Sequence, residues 1–238
     1  MAKTKTNWQR QDMTQHYLEQ IRGAIPFGAD QVKMMLNLIQ HFCPDPKSII
    51  DLGCGNGFLG EVILKAYPNS TALLIDHSKP MIEAAKKQMN SFGDRCNVIE
   101  ADLSQSILNH ASPDSIDCIV SGFAIHHLPH KRKKELYYEI YELLTPRGIF
   151  INIEHVKSAS VKVEKLYDQL FIDHLSAYNN RNREEVAKDY KQRPDKEDNI
   201  LERVEVQMNW LSEIGFHHVD CYLKWMELAV FAGVKEHE

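Results

Sequence analysis

Residues 49–57 have the sequence Ile-Ile-Asp-Leu-Gly-Cys-Gly-Asn-Gly, and this stretch decides the fold. Apolar β-branched residues followed by glycine at every second position are typical of a buried strand that turns sharply into a helix. Glycine has no Cβ, so the main chain can turn tightly there and approach a ligand closely. The turn also points the first backbone N–H groups of the following helix toward that ligand. The stretch therefore predicts a loop that binds a nucleotide or nucleoside cofactor.

Two classes of cofactor are compatible with this loop. The spacing of Gly55, Gly57 and Gly60 matches the dinucleotide fingerprint, and Asp76 follows at a distance that suits a ribose ligand. Asp51 argues against a dinucleotide, because a carboxylate at the strand end would repel a pyrophosphate and attract a sulfonium or ammonium group. We therefore favour a cationic nucleoside cofactor and keep NAD as the weaker alternative.

The segment 51–57, Asp-Leu-Gly-Cys-Gly-Asn-Gly, resembles the first motif of the class I S-adenosylmethionine-dependent methyltransferases. The resemblance covers roughly residues 15–155 and 206–234, including Leu-Leu-Thr-Pro-Arg-Gly-Ile-Phe at 143–150. It implies an α/β, Rossmann-like, doubly wound seven-stranded sheet, mostly parallel with a reversed last strand. It also implies one domain over residues 1–238, with an N-terminal lid at 1–28 and a helical insertion at 158–205 that covers the active site.

Three successive predicted strands end in acids, Asp51, Asp76 and Asp102, which places a row of carboxylates along the carboxyl edge of the sheet. The resemblance implies S-adenosyl-L-methionine as cofactor, with Asp76 on its ribose and Asp102 with Leu103 on its adenine. A helix cap is the alternative role of Asp76. The other predicted cofactor contacts are Gly53, Cys54, Gly55 and Asn56 in the loop, Tyr17 and Arg22 at the methionine carboxylate, His77 and Met81 beside the adenine, and Ser121 beside the methionine tail. A packing or surface role is the alternative for Tyr17, Arg22, His77 and Met81.

Two histidines are the candidate catalytic residues. His126 follows the fourth predicted strand, where a general base would lie close to the transferred methyl group, and His155 follows the fifth. A structural role is the alternative for both, and we expect His127 to be a buried, hydrogen-bonded scaffold residue. No carboxylate or cysteine has a spacing near these histidines that suits a metal site, so no metal is expected. The basic run Lys131–Lys134 predicts a solvated helix face.

The composition indicates a soluble globular protein. Of the 238 residues, 43% are hydrophobic and 26% charged, and the net charge of -5 gives no general attraction for nucleic acid or anionic membranes. The five scattered cysteines, and the lack of any apolar run near the ~18 residues of a membrane span, predict a cytoplasmic location. A homodimer is compatible with the sequence.

Methyl transfer to a small-molecule O, N or S acceptor is the expected reaction, because the signatures of base-amine, pyrimidine C5 and metal-dependent catechol methylation are not evident in the sequence. One alternative is an enzyme that uses a modified adenosylmethionine, such as a synthase of a carboxylated cofactor for tRNA modification. An arginine in the pocket, Arg181 or Arg203, would distinguish that enzyme. The other alternative is a non-catalytic adenosylmethionine-binding module.

Overall fold

The framework of the protein is one seven-stranded sheet, seen in a computed structural model that describes residues 24–192 and 198–236. Its strands are β1 (Ser48–Leu52), β2 (Thr71–Asp76), β3 (Cys96–Glu100), β4 (Ile116–Gly122), β5 (Leu144–His155), β6 (His217–Trp225) and β7 (Leu228–Val234). Their order is β3-β2-β1-β4-β5-β7-β6. Strands β1 to β5 pair in parallel, whereas β7 is antiparallel to both β5 and β6. The predicted Rossmann-like sheet with one reversed strand is confirmed.

Helices cover both faces of the sheet. They are α1 (Gly28–Phe42), α2 (Phe58–Ala66), α3 (Lys79–Met89), α4 (His130–Leu143), α5 (Val161–Asn179), α6 (Arg183–Gln192) and α7 (Val204–Ile214). Neighbouring residues of a strand point to opposite faces, so Ile49 packs with α1, α2 and α3 whereas Ile50 packs with α4 and α7. Helices α5 and α6 form a smaller cluster of their own around Ile172 and Tyr190. Within the described ranges, no helix combines the length and apolar character that crossing a membrane requires.

Two features differ from the sequence-based prediction, the end of β3 and the burial of the basic run. Strand β3 ends at Glu100, so Asp102 lies in the turn that follows rather than at the strand end. Helix α4 begins at His130, directly after Pro129, and takes the basic run into its first turns. The prediction of a fully solvated run was wrong, because Arg132 is 9% exposed and Lys133 only 1%. Arg132 is held by Glu139 at 2.8 Å, which explains how a guanidinium is accommodated there.

The two ends of the sheet are formed by β3 and β6. Strand β7 is buried along its whole length, whereas β6 is half-buried or exposed. The pairing of β6 with β7 is irregular at two places, between His217 and Asp220 and between Cys221 and Leu223. Of the predicted N-terminal lid, only residues 24–28 belong to the part of the chain that the structure describes.

Candidate functional site

The loop between β1 and α2 has the sharp turn that its glycines predict. Gly53 and Gly55 have φ angles of 65° and 55°, a region that L side chains rarely adopt. A Cβ at Gly53 would lie 2.2 Å from the Cβ of Ala124, so the residue must be glycine for the loops after β1 and β4 to approach each other. A Cβ at Gly55 would meet no atom within 4 Å, which leaves room for a ligand beside the backbone.

Two buried carboxylates fix the loop in place. Asp76 Oδ2 accepts a hydrogen bond of 2.8 Å from Gly55 N, and its Oδ1 accepts another of 2.8 Å from Ser78 N at the start of α3. Asp51 Oδ2 accepts a bond of 2.9 Å from Gly60 N in α2. The acids at the ends of β1 and β2 therefore hold the backbone around the loop in its turned conformation.

A cavity of about 270 Å³, here called the loop cavity, lies against this turn. It is lined by Ile25, Asp51, Gly53, Cys54, Gly55, Asn56, Phe58, Leu59 and Gly122. Burial, with the nearby charges of Asp51 and Asp76, raises the pKa of the Cys54 thiol well above its ordinary value. The thiol is therefore protonated near neutral pH and cannot act as a nucleophile there.

The structure separates the predicted cofactor residues into several groups. Asp51, Gly53, Cys54, Gly55 and Asn56 all line the loop cavity. Asp76 and Leu103 are buried, whereas His77, Met81 and Asp102 are exposed. Ser121 is fully buried and donates its hydroxyl to Leu52 O at 2.8 Å, and it is its neighbour Gly122 that lines the cavity. Tyr17 and Arg22 lie outside the described residues.

A second cavity of about 250 Å³, here called the histidine cavity, lies next to the first. Its lining residues are Ile25, Phe123, His126, His127, His155, Tyr167, Phe171, Asn199 and Leu228. Ile25 lines both cavities, and the consecutive residues Gly122 and Phe123 line one each. The segment after β4 therefore brings His126 to the side of the loop cavity, and the end of β5 brings His155 there.

His126 is a buried imidazole paired with a buried carboxylate. It is 7% exposed, Glu154 is fully buried, and His126 Nδ1 lies 2.6 Å from Glu154 Oε1. Burial alone would raise the pKa of Glu154, but the adjacent His126 and the hydrogen bond from His155 N hold that pKa below its ordinary value. An ionised carboxylate on Nδ1 favours the tautomer in which Nδ1 carries the proton and Nε2 is free to accept one.

His155 belongs to a similar pair that the sequence did not reveal. Its Nε2 lies 2.8 Å from Glu227 Oε2, and Glu227 is 3% exposed and also accepts a hydrogen bond from the hydroxyl of Ser158. Glu227 lies 72 residues further along the chain, and the antiparallel pairing of β7 with β5 brings it to His155. The sequence feature that could have indicated this pair is the position of Glu227 directly before β7, the strand that pairs with β5.

The histidine pair 126–127 is arranged differently from the prediction. His127, expected to be buried, is exposed, and the buried member is His126. The cause is the short 3-10 turn Ile125–His127, which directs the two side chains differently. Lys133 stabilises this turn, because its Nζ donates hydrogen bonds to His126 O at 3.4 Å and to Ile200 O. Burial lowers the pKa of Lys133 to about 8.

No lysine or arginine is among the residues that line either cavity in the described part of the chain. Arg181 is exposed and pairs with Asp189 at 2.8 Å, and Arg203 is exposed and donates to Ala159 O at 2.8 Å. The described residues also contain no group of three or more potential ligands that could hold a metal ion. The polar side chains that line the histidine cavity are thus three imidazoles, the amide of Asn199 and the phenol of Tyr167, with buried carboxylates behind His126 and His155.

Comparison with known proteins agrees with the sheet order and the loop. Residues 50–150 match the family model of the methyltransferase domain. This part of the chain is therefore similar to a methyltransferase domain. The chain is 23% identical to a carboxy-S-adenosyl-L-methionine synthase of Nautilia profundicola, over 91% of this chain and 89% of that protein.

Solved structures share the fold of this chain. One is a Methanococcus maripaludis protein provisionally assigned as an S-adenosyl-L-methionine-dependent methyltransferase, with a TM-score of 0.61 and 20% identity over 100% of this chain and 98% of that one. Another is an O-methyltransferase family protein from Burkholderia thailandensis, with a TM-score of 0.61 and 15% identity over 97% of this chain and 68% of that one. At these identities the likeness shows the fold alone.

Proposed function

We propose that the protein transfers a methyl group from S-adenosyl-L-methionine to an oxygen, nitrogen or sulfur atom of a small molecule bound in the histidine cavity. The proposal rests on the pair of His126 and Glu154, whose Nδ1 and Oε1 atoms are 2.6 Å apart. His126 lines a cavity that shares Ile25 with the loop cavity. Such a pair is the arrangement of a general base whose tautomer is fixed by a carboxylate.

The residues of the loop cavity suit the cofactor. The open space beside Gly55 admits a ligand against the backbone, and the carboxylate of Asp51 at the cavity wall attracts a cation. We assign Asp76 to the ribose, Asp102 with Leu103 to the adenine, and Tyr17 with Arg22 to the methionine carboxylate. When bound, the cofactor supplies an electrophilic methyl group on a positively charged sulfur.

The acceptor side is assigned to the chain around the histidine cavity. Tyr167 and Phe171 of α5 and Asn199 of the following segment line it, which supports a role of the insertion 158–205 as the wall of the acceptor site. His126 Nε2 takes the proton of the acceptor as its nucleophilic atom attacks, and Glu154 stabilises the imidazolium that forms. His155 lies with its ring centroid 5.8 Å from that of His126 and is assigned to the same site.

Synthesis of a carboxylated cofactor is the second candidate, because proteins with that name are relatives of 22–26% identity. The buried carboxylates of Glu154 and Glu227 lie behind the histidine cavity, and Arg181 and Arg203 line neither cavity. A site with this charge would repel a carboxylate-bearing co-substrate. We therefore favour methyl transfer.

The test is calorimetric titration with S-adenosylmethionine, S-adenosylhomocysteine and NAD, followed by incubation with acceptor mixtures and mass spectrometry of the cofactor. We expect binding of both sulfur nucleosides and formation of S-adenosylhomocysteine that depends on an acceptor. His126→Gln should lower that rate about 10²–10⁴-fold, with cofactor affinity unchanged. His130→Gln is the matched control, because the side chain of His130 is 45% exposed and lines neither cavity.

Other results of the titration and the incubation would favour other functions. A carboxylated cofactor as the product would favour the second candidate. Cofactor binding without turnover of any acceptor class would favour a binding module. Binding of NAD alone would mean that the dinucleotide spacing of residues 55–60 was the correct signal.

A further inference from the structure

We propose that the acceptor carries two protic groups on neighbouring atoms of one flat ring, and that His155, oriented by Glu227, binds the second group while His126 deprotonates the first. This inference rests on the proposed function and names the substrate class of the same site. It starts from two of the three imidazoles that line the cavity, those of His126 and His155, which have ring centroids 5.8 Å apart and are each held by a buried glutamate of their own.

The two histidines are held by different ring nitrogens. Glu154 contacts Nδ1 of His126 at 2.6 Å, and Glu227 contacts Nε2 of His155 at 2.8 Å. An ionised carboxylate only accepts hydrogen bonds, so in each neutral ring the nitrogen beside it carries the proton. His126 Nε2 and His155 Nδ1 are then acceptors, and neither has a hydrogen-bond partner among the described residues. The cavity thus presents two acceptors to one ligand.

A ligand with one protic group would satisfy only one of these nitrogens. The other nitrogen would stay unpaired against a largely apolar surface. A site discriminates strongly against a ligand that leaves one of its buried polar groups without a hydrogen bond. Phe123, Tyr167 and Phe171 supply aromatic walls, and Leu228 an aliphatic one. The volume of about 250 Å³ suits a compound of about one ring. These walls favour a flat ring that carries the two groups.

Charge around the cavity favours an acceptor that enters in its neutral form. Glu154 and Glu227 are buried behind the histidines, and the exposed Asp198 is next in sequence to the lining residue Asn199. The ammonium of Lys133 does not line the cavity, because its Nζ donates to the carbonyls of His126 and Ile200. No cation lines the cavity in the described ranges. The buried carboxylates would therefore repel an anionic acceptor, whereas they would not repel one that carries two neutral hydroxyls.

The transfer step balances with these groups alone. The first hydroxyl gives its proton to His126 Nε2 as its oxygen bonds to the methyl carbon, and the bond between that carbon and the sulfonium sulfur breaks with its electron pair moving to sulfur. The second hydroxyl keeps its proton and donates it in a hydrogen bond to His155 Nδ1. The product has a single protic group left, so it binds more weakly than the acceptor and the reaction stops after one methylation.

The experiment compares 1,2-dihydroxybenzene with phenol and with 1,4-dihydroxybenzene, which has the same two hydroxyls on opposite sides of the ring. In the wild type we expect kcat/KM to be about 100-fold higher for the 1,2-isomer than for either control. His155→Phe should remove the preference by lowering the 1,2-isomer to the level of phenol, and His155→Gln, which keeps an acceptor, should restore part of it. A preference that persists in His155→Phe would overturn the assignment of His155.

Equilibrium binding separates this inference from the proposed function. The same three compounds are titrated into the S-adenosylhomocysteine complex, so that the result does not depend on turnover. Preferential binding of the 1,2-isomer without methylation would keep the two-group site and reject methyl transfer. Methylation that depends on His126 but shows no preference would keep methyl transfer and reject the two-group site. Failure of the 1,2-isomer to bind at millimolar concentration would also reject the two-group site.

Discussion

At the scale of single residues, Asp76 holds the loop after β1 and caps α3. Both of its oxygens accept backbone hydrogen bonds of 2.8 Å, from Gly55 and from Ser78. A carboxylate has about four lone-pair sites, so these contacts are compatible with the ribose role that we propose for the same side chain. In our proposal Asp76 therefore connects the shape of the loop to the binding of the cofactor.

The first prediction concerns this carboxylate. Asp76→Ala should weaken S-adenosylmethionine binding by about 1–3 kcal/mol, because the ribose hydroxyls lose a charged acceptor. Calorimetry measures the affinity, and circular dichroism checks that the fold is retained. Asp94→Ala is the matched control, because Asp94 is exposed and lines neither cavity, so its loss should leave the affinity unchanged. Equal affinities of wild type and Asp76→Ala would remove Asp76 from the cofactor site.

The second prediction concerns Gln31, which is fully buried in α1 with neither amide atom hydrogen-bonded. An unpaired buried polar group costs about 1–3 kcal/mol, so Gln31→Met should raise the free energy of unfolding by that order. Thermal unfolding should show a higher Tm. Gln207 is the contrasting residue, since it is 1% exposed, accepts from Tyr137 at 2.6 Å and donates to Glu202 O at 3.2 Å. Gln207→Met should therefore destabilise the protein, and a Gln31→Met variant with a lower Tm would contradict our account.

The loop was predictable from the sequence because its backbone geometry demands particular residues. Gly53 and Gly55 need positive φ, and only a few residue types adopt it readily. The partners of the histidines were not predictable in this way. Glu154 and Glu227 are ordinary acids whose contacts with His126 and His155 depend on which strands are neighbours and in which register they pair.

At the scale of elements, the loops after β1 and β4 are packed so closely that each limits the other. The third prediction is that Gly53→Ala destabilises the fold and weakens the cofactor affinity, because its Cβ would lie 2.2 Å from Ala124 Cβ at a φ of 65°. Chemical denaturation measures the loss. The double variant Gly53→Ala, Ala124→Gly should recover the steric part and keep the backbone strain of about 1–2 kcal/mol. No recovery at all would show that the contact with Ala124 is not the cause.

Lys133 connects two further elements that form the wall of the histidine cavity. Its Nζ contacts carbonyls of the 3-10 turn and of the segment before α7, and Ile200 N donates to His126 O at 2.9 Å. The fourth prediction is that Lys133→Met raises KM for the acceptor about tenfold or more by loosening Asn199, while the cofactor affinity is unchanged. Lys134→Met, at an exposed residue paired with Glu213, is the control. A loss confined to cofactor affinity would contradict this role.

Element boundaries were harder to predict than element identities. The basic run at the start of α4 is not fully solvated, because Arg132 and Lys133 are buried, which a count of charges does not reveal. Strand β3 ends two residues before the predicted end at Asp102, because the turn there is stabilised by the hydrogen bond of 2.8 Å from Ser104 N to Asp102 Oδ1. Tertiary burial and local turn chemistry thus set these limits.

At the scale of the whole molecule, the fold could be predicted from a pattern of strand, turn and helix that repeats along the chain. The residues that line the histidine cavity could not be predicted from this pattern. Residues of α5 such as Tyr167 and Phe171 lie among ordinary amphipathic positions, and only the packed fold places them against His155. The position of a cofactor loop depends on the backbone, which a short motif specifies. The histidine cavity depends on side chains from the segment after β4 and from β5, α5 and β7 together.

The fifth prediction concerns the pH dependence of stability. The pKa of Glu154 is lower in the folded protein than its ordinary value, so the stabilisation it provides is present above the ordinary pKa and is lost as pH falls through the lowered folded pKa. Urea unfolding between pH 3 and 7 should therefore show a smaller loss of stability on acidification for Glu154→Gln than for wild type. Glu213→Gln, at an exposed position, should behave like wild type. Identical pH slopes for Glu154→Gln and wild type would contradict the prediction.

The irregular pairing of β6 has a consequence for how the protein behaves at high concentration. An outermost strand with unpaired backbone groups can recruit a strand from another molecule and start aggregation. The two register shifts, at 217–220 and 221–223, bend β6 locally and interrupt the straight row of groups that such a neighbour would need. Lys224 adds a charge near its end. This side of the sheet is therefore protected against edge-to-edge association, and variants that straighten β6 should lose solubility before they lose activity.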